Sequence, residues 1–367
     1  MAKSIYRADQ VGSLLRPSNV LDAREAFKAG KLGREALERE EDAGVLEVLT
    51  RQQQIGMPIF SDGEMRRDAW QTVFSQAVEG FVDDYPVVEN ARPDGTRIKV
   101  EMHTKAIRSK LRAVGRLAAK DAIFLKQHAP GPFKITLASP AYIARASYRP
   151  GLSDQPYPDR ALLLRDTIDI VRHEMQALVK DGAAYIQLDE GFAYHVTQGG
   201  IAADAEKQLA ADIAAENECY DAVRSDAVTV AMHVCRGSRV AWHHGPGHYD
   251  WLAERLFDGL RVDRFLLEYD TDIVGSFEPL RFLPKGKVAV LGLVSSKDRR
   301  LETRDELMRR IDEAAKYCPI DRLALTSQCG FQAAADRDGA HLDFDTQWRK
   351  LEVIVETARG VWRSEAA

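Results

Sequence analysis

The chain has 367 residues, 45% of them hydrophobic and 29% charged, which is the composition of an ordinary globular protein. Its formal net charge of −5 excludes the strongly basic field that would hold nucleic acid or an anionic membrane. We therefore expect small metabolites as partners, with no nucleic acid and no membrane.

The first residues, MAKSIYRADQVGS, lack the apolar stretch of a signal peptide, and no run of eighteen apolar residues follows. These features predict a cytoplasmic protein. Its four cysteines are too few for a disulfide framework in a chain of this length. A reducing compartment would leave them free for metal binding or nucleophilic chemistry.

Short apolar or β-branched runs alternate with amphipathic stretches along the chain. The predicted strands are 8–13, 57–61, 133–138, 184–188, 227–234, 264–268, 287–294 and 322–327. The predicted helices are 35–54, 159–180, 202–224, 249–257, 304–317 and 345–362. Because strands alternate with helices, the pattern predicts an α/β fold with a parallel sheet, and eight such units predict a (β/α)8 TIM barrel in a single domain over 1–367.

The connections that enter the predicted strands are short, such as IGMP and PKG, whereas those that leave them are long, such as SYRPGLSDQPYPD. Functional residues of a barrel lie on the side of the long loops, at the C-terminal strand ends. The segment 83–113 departs from the repeat. Its two alternating runs around Pro-Asp-Gly predict a β-hairpin inserted after the second strand.

The stretch AMHVCRG ends the fifth predicted strand and carries the first functional hypothesis. Side chains alternate along a strand, so His233 and Cys235 point the same way. On the same rim Glu268 ends the sixth strand and Cys329 the eighth. Two thiolates, an imidazole and a carboxylate suit Zn²⁺. For H-x-C alone, the alternative is a buried core histidine beside an inert cysteine.

The charge of such a centre indicates thiol chemistry. A zinc ion with three anionic ligands has a net charge of about −1, which makes a poor Lewis acid for a carbonyl but a suitable holder of another sulfur. The electron-rich ligands would leave a thiolate nucleophilic if one weak ligand, such as the carboxylate, gives up its place. The predicted chemistry is alkyl transfer to sulfur.

Three further residues lie on the same predicted rim: Ser13 after the first strand, Glu64 after the second and Asp189 at the end of the fourth, beside Glu190. The two carboxylates could be structural partners of nearby arginines. Together with Ser13 they could instead hold a zwitterionic amino acid, the acids contacting its ammonium group and Ser13 its carboxylate.

These motifs, VGSLLRP, SDGEMRR, IQLDEG, HVCRG, LLEYD and LTSQCGF, together resemble the catalytic domain of cobalamin-independent methionine synthase in its short single-barrel branch. The resemblance covers about residues 8–362. It implies a zinc-dependent methyltransferase that converts homocysteine to methionine. The zinc ligands implied are His233, Cys235, Glu268 and Cys329, and the homocysteine-binding residues implied are Ser13, Glu64 and Asp189.

Two departures from the family pattern concern the methyl donor. The additional N-terminal half, which helps long enzymes bind polyglutamylated methyltetrahydrofolate, has no counterpart here. The family's histidine proton donor is replaced by the sequence VSSK, in which Lys297 lies nearest. Lys297 could protonate the leaving group, or it could lie on a solvated loop and pair with Asp298 or Glu302. The donor could be a methyltetrahydrofolate or a methyl-corrinoid protein.

Other functions stay open from the sequence. A related enzyme class adds a thiol, coenzyme M, to an epoxide. A decarboxylase of the same superfold and a non-catalytic thiol-binding protein are further alternatives. His243, His244 and His248 form a second potential metal group, which we interpret as a substrate loop, and Cys219 and Cys318 are interpreted as structural.

Overall fold

A computed structural model describes residues 5–91, 97–101, 103–189, 192–198, 204–235, 249–272, 275–335 and 342–362. The α-helices in these ranges are α1 (Ser18–Lys28), α2 (Arg34–Ile55), α3 (Thr72–Ala77), α4 (Ala119–His128), α5 (Pro140–Ala146), α6 (Arg160–Asp181), α7 (Ala193–Gln198), α8 (Ala205–Asp221), α9 (Ala253–Gly259), α10 (Arg304–Ala315) and α11 (Phe344–Val361). The strands are β1 (Val78–Val82), β2 (Val87–Ala91), β3 (Arg97–Glu101), β4 (Ala106–Ala113), β5 (Lys134–Ala138), β6 (Tyr185–Asp189), β7 (Thr229–Val234), β8 (Arg264–Glu268), β9 (Val288–Val294) and β10 (Leu323–Ser327).

Six strands, β5 to β10, form one parallel sheet in which each strand pairs with the next one along the chain. All six are buried along their whole length. Continuous apolar runs such as VAVLGLV are typical of strands covered on both faces. The predicted parallel α/β fold is therefore present, and the six predicted helices correspond to α2, α6, α8, α9, α10 and α11.

The first two predicted strands, 8–13 and 57–61, are each reduced to a single bridge. Ala8 pairs with Leu325 at one edge of the sheet, and Phe60 pairs with Phe133 at the other. Side chains take the place of strand neighbours here: the Gln52 amide donates to the Ser61 carbonyl at 2.8 Å and accepts from the Ser61 N–H at 3.0 Å. The prediction of two full strands was wrong for this reason, and closure of the sheet into a barrel stays a prediction.

The segment that follows the second bridge contains two antiparallel pairs. β2 pairs with β3, as the alternating runs around Pro-Asp-Gly predict, and β1 pairs with β4 outside them. The sequence pattern predicted the inner hairpin but not the outer pair, because β1 lies before the segment 83–113. Organisation of the whole chain as one domain stays a prediction.

Local sequence signals explain where several helices begin. Thr303 and Glu306 form a reciprocal capping box at the start of α10. Asp159 and Asp343 accept hydrogen bonds from the first turns of α6 and α11. No helix in the described part of the chain is both long and apolar enough to cross a lipid bilayer.

Candidate metal centre and substrate pocket

Four side chains meet where strands β7, β8 and β10 end. His233, Cys235, Glu268 and Cys329 are all buried, and each offers a potential ligand atom within 4.8 Å of the other three. The Sγ atoms of Cys235 and Cys329 are 3.4 Å apart. The strands bring them together because parallel strands end on the same side of the sheet, as the sequence predicts.

The surroundings of the His233 ring favour its neutral form and suit a metal ligand. Its Nδ1 lies 3.3 Å from the Leu266 carbonyl oxygen, whereas its buried Nε2 has no hydrogen-bond partner among the residues that the structure describes. Burial lowers the pKa of His233 to about 3, so the ring is uncharged at neutral pH. An unpartnered buried ring nitrogen is unfavourable unless another group occupies that position.

This donor set fits a zinc ion. The orphaned His233 nitrogen, two adjacent sulfur atoms and a buried carboxylate are the ligand types that a tetrahedral zinc site uses. A backbone carbonyl beside the other ring nitrogen is also a usual partner of a metal-binding histidine.

Glu64 belongs to a turn with unusual backbone geometry. Its φ of +62° lies in the left-handed region, directly after Gly63 at +64°. One carboxylate oxygen, Oε1, accepts a hydrogen bond from Thr136 at 2.7 Å and lies 3.2 Å from the Arg67 guanidinium. The other oxygen, Oε2, is buried and has no hydrogen-bond partner in the described part of the chain. Burial raises the pKa of the Glu64 carboxyl group, against the opposing effect of Arg67.

Asp189 ends β6 and is paired in register with His233 on β7, which places the two side chains on the same side of the sheet. The Gln187 amide donates a hydrogen bond of 2.6 Å to Asp189 Oδ1. Burial, and then the nearby Glu64 carboxylate, raise the pKa of Asp189 well above its ordinary value. Two neighbouring buried acids of this kind favour a cation between them.

Ser13 lies against the loop that carries Cys329. Its backbone oxygen accepts a hydrogen bond from the Phe331 N–H at 2.8 Å. A Cβ atom at Gly330 would lie only 2.0 Å from Ser13 Oγ, so the close approach of these two segments requires glycine. Ser13, at the end of the first predicted strand, therefore lies next to the loop that carries the candidate metal ligand Cys329.

Lys297 points toward the candidate metal ligands. Its side chain is 9% exposed, and Nζ lies 3.8 Å from Glu268 Oε2. Glu302, one of the predicted surface partners, instead accepts from Lys350 at 2.8 Å. Of the two alternatives that the sequence left open, this position favours a side chain directed at the ligands over a solvated loop, and a catalytic role of Lys297 stays a prediction.

The loop after β9 is held by hydrogen bonds. Ser295 Oγ donates to Asp270 at 3.0 Å, and its backbone N–H donates to Glu302 at 2.9 Å. Ser296 Oγ donates to Gln328 at 2.9 Å. These contacts fix the backbone from which Lys297 extends.

Of the arginines that the sequence offered as partners of the carboxylates, Arg67 lies 3.2 Å from Glu64 Oε1. Sequence reasoning missed two residues that support the carboxylates, Thr136 and Gln187, because they are interior strand residues without a sequence signal. Cys219 and Cys318 are buried away from the cluster, with Cys219 Sγ 3.7 Å from a helix carbonyl. Glu190 and the histidine group His243, His244 and His248 lie outside the described residues.

The sequence profile of the family described as "Cobalamin-independent synthase, Catalytic domain" matches residues 8–341. The chain belongs to this family. Among its relatives are two uncharacterized proteins of Bacillus subtilis (strain 168), YxjG at 33% identity and YxjH at 31%, each over 98% of this chain and 96% of the relative. A methionine synthase of Pyrococcus abyssi is 27% identical over 98% of this chain and 94% of its own.

Solved structures of family members have the same fold. A putative vitamin-B12 independent methionine synthase from Listeria monocytogenes superimposes with a TM-score of 0.74 at 26% identity, over 99% of both chains. A B12-independent methionine synthase from Shewanella sp. W3-18-1 gives a TM-score of 0.76 at 20% identity, again over 99% of both chains.

Proposed function

We propose that the protein is a zinc-dependent thiol methyltransferase that converts homocysteine to methionine without cobalamin. The observation that carries the proposal is the buried meeting of His233, Cys235, Glu268 and Cys329 at the strand ends. Membership of the cobalamin-independent synthase family and likeness to a methionine synthase of Pyrococcus abyssi support the same reaction.

His233, Cys235, Glu268 and Cys329 would hold the zinc ion. When bound, the ion would draw the proton from a substrate thiol and leave the sulfur nucleophilic. Glu268 is the ligand that would dissociate from the zinc ion most readily, because Lys297 Nζ, 3.8 Å away, would still pair with its carboxylate. The two cysteines would remain as the electron-rich part of the ligand set.

Ser13, Glu64 and Asp189 would hold the amino-acid part of homocysteine. The unpartnered Glu64 oxygen and the Asp189 carboxylate would receive the substrate ammonium group, and Ser13 Oγ would donate to its carboxylate. The ammonium charge would compensate two carboxylates whose burial is otherwise unfavourable.

Lys297 would act on the leaving group of the methyl donor. A largely enclosed ammonium group next to Glu268 can stabilise a developing negative charge or deliver a proton. The donor itself is proposed by class: a methyltetrahydrofolate, which needs a proton as it leaves, or a methyl-corrinoid protein, which does not.

The test is a product assay with zinc-loaded protein and homocysteine. Methyltetrahydrofolates with one and several glutamates, a methyl-corrinoid protein and a simple epoxide are offered as separate donors, and the products are identified by mass spectrometry. Methionine formed from either methyl donor supports the proposal. A thioether formed only from the epoxide, or no product together with no zinc binding, contradicts it.

A further inference from the structure

Beneath the candidate substrate pocket lies a layer of polar side chains that the proposed reaction does not use. Lys134 at the start of β5 has a fully buried side chain, and so does Asp9, whose Oδ1 lies 2.8 Å from Lys134 Nζ. Tyr185 donates to the other Asp9 oxygen at 2.9 Å. Lys134 Nζ also donates to Gln187 Oε1 at 3.0 Å.

Gln187 connects this layer to the pocket. It is fully buried on β6, two residues before Asp189, so both side chains point to the same side of the strand. Its Nε2 donates to Asp189 Oδ1 at 2.6 Å and to the Val11 carbonyl at 2.7 Å. One amide group therefore contacts a buried lysine on one side and the candidate substrate ligand on the other.

The chemistry of the neighbours permits only one orientation of this amide. Lys134 donates to the Gln187 oxygen, and the Val11 carbonyl can only accept and must face the nitrogen, as must the Asp189 carboxylate in its ionised form. A flipped amide would lose all three contacts. The orientation of the Asp189 carboxylate is in this way determined by a lysine that lies two hydrogen bonds away.

We propose that Gln187, held by Lys134, is a positioning residue for substrate selection: it occupies Oδ1 of Asp189 and leaves Oδ2 to receive the ammonium group of an amino-acid thiol. The inference rests on the proposed function, because it takes homocysteine as the thiol. It adds that preference for thiols with an α-amino group depends on a residue that does not touch the substrate.

The test compares two thiols on the zinc-loaded protein: homocysteine, and 4-mercaptobutanoate, which is the same molecule without the amino group. Dissociation constants are measured by calorimetry, and zinc content and melting temperature are recorded for each variant. The wild type should prefer homocysteine. Gln187→Met should weaken homocysteine binding about 10- to 100-fold, the worth of one hydrogen bond to a charged group, and leave the affinity for 4-mercaptobutanoate within about threefold.

The matched control is Gln10→Met, which removes another buried glutamine amide from the same layer. The Gln10 side chain donates to Gln52 at 2.6 Å and makes no hydrogen bond to Asp189. The Gln10→Met variant should keep the wild-type preference for homocysteine. A general loosening of the interior would instead affect both variants and both thiols.

Gln187→Glu covers the case in which the methionine variant fails to fold. A glutamate keeps the oxygen that Lys134 needs but presents an acceptor to Asp189 and to the Val11 carbonyl, so preference for homocysteine should again be lost. A folded Gln187 variant that retains the wild-type preference overturns the inference and leaves the proposed function intact. A wild type that binds both thiols equally overturns the assignment of homocysteine, and with it the inference.

Discussion

The two halves of the candidate site are held in different ways. In the metal half, a buried nitrogen of His233 has no hydrogen-bond partner within the described ranges, and two cysteine sulfurs lie 3.4 Å apart. In the carboxylate half, Glu64 and Asp189 each have one oxygen fixed by a neighbouring side chain. On the proposed function, a metal ion would complete the first half, whereas the second is arranged by protein side chains and would receive only the charge of a ligand.

Two buried groups, one in the metal half and one beside the carboxylate half, respond to pH in opposite directions. The pKa of His233 is lowered to about 3 by burial, so acidification from its ordinary value of 6.5 destabilises the folded state. The pKa of Asp121, which lies 3.9 Å from the Arg67 that contacts Glu64, is raised to about 7 by burial and by Asp62. This second group destabilises the folded state as the pH rises. The difference between the halves can be tested by mutation, and the titration of Asp121 tests the surroundings of the carboxylate half.

The largest effect is expected in the metal half. Cys235→Ser and Cys329→Ser should each lose the zinc ion. Activity should fall by more than about 100-fold, which exceeds the 10- to 100-fold loss typical when a residue that only hydrogen-bonds to a metal ligand is mutated. Elemental analysis and the methionine assay measure both. Cys219→Ser and Cys318→Ser are the matched controls and should retain zinc. Full zinc content in the first two variants would contradict the proposed ligand set.

Lys297 lies against the metal half but is expected to affect only the transfer step. Lys297→Met should lower the turnover rate by about a hundredfold with a folate donor, the lower range for general acid catalysis. Zinc content and homocysteine affinity should stay at the wild-type values. The exposed Lys316→Met variant is the control. A change within about threefold would show that the leaving group needs no proton from this residue.

In the carboxylate half, Glu64→Gln should weaken homocysteine binding by about thirtyfold, because it removes a charge from the proposed ammonium site but keeps the shape. Zinc content should be unaffected, which would separate the two halves directly. Calorimetry with homocysteine and with 4-mercaptobutanoate measures the effect. Equal weakening of both thiols would argue that Glu64 supports the fold rather than the ammonium group.

The smallest effect is a change of stability with pH. The pKa of Asp121 is about 7 in the folded protein and 3.8 ordinarily. Between these two pH values the folded protein keeps a proton that the unfolded chain has lost, so this group lowers the stability of the fold as the pH rises. The Asp121→Asn variant lacks this titrating group. Its stability relative to the wild type should increase by about 1 kcal/mol per pH unit between pH 5 and 6.5, measured by urea unfolding. A difference independent of pH would contradict the shift.

The sequence was sufficient to place the metal half but not the support of the carboxylate half. His233, Cys235, Glu268 and Cys329 follow apolar strands, and parallel strands end together, so their meeting could be predicted. Gln187 could not be recognised, because its importance depends on which groups face each end of its amide.

Side-chain hydrogen bonds determine two features that the sequence pattern could not settle. In the first predicted strand, the Gln10 N–H donates to the Asp9 side chain and the Val11 carbonyl accepts from the Gln187 side chain instead of from a strand neighbour. The loop that carries Lys297 is held by hydrogen bonds of Ser295 to Asp270 and Glu302, and the sequence had left the direction of Lys297 open. Short-range patterns predict which segments are buried, but not which polar partners they find there.

The left-handed backbone at Glu64 implies a conflict between stability and activity. A side chain other than glycine in this conformation costs about 1 kcal/mol, so glycine or asparagine at position 64 would relax the turn. Laboratory evolution for heat resistance alone should therefore drift away from glutamate here, whereas evolution for growth that depends on the enzyme should retain it. Comparing the two outcomes at this codon would identify a functional residue without any assay of its chemistry.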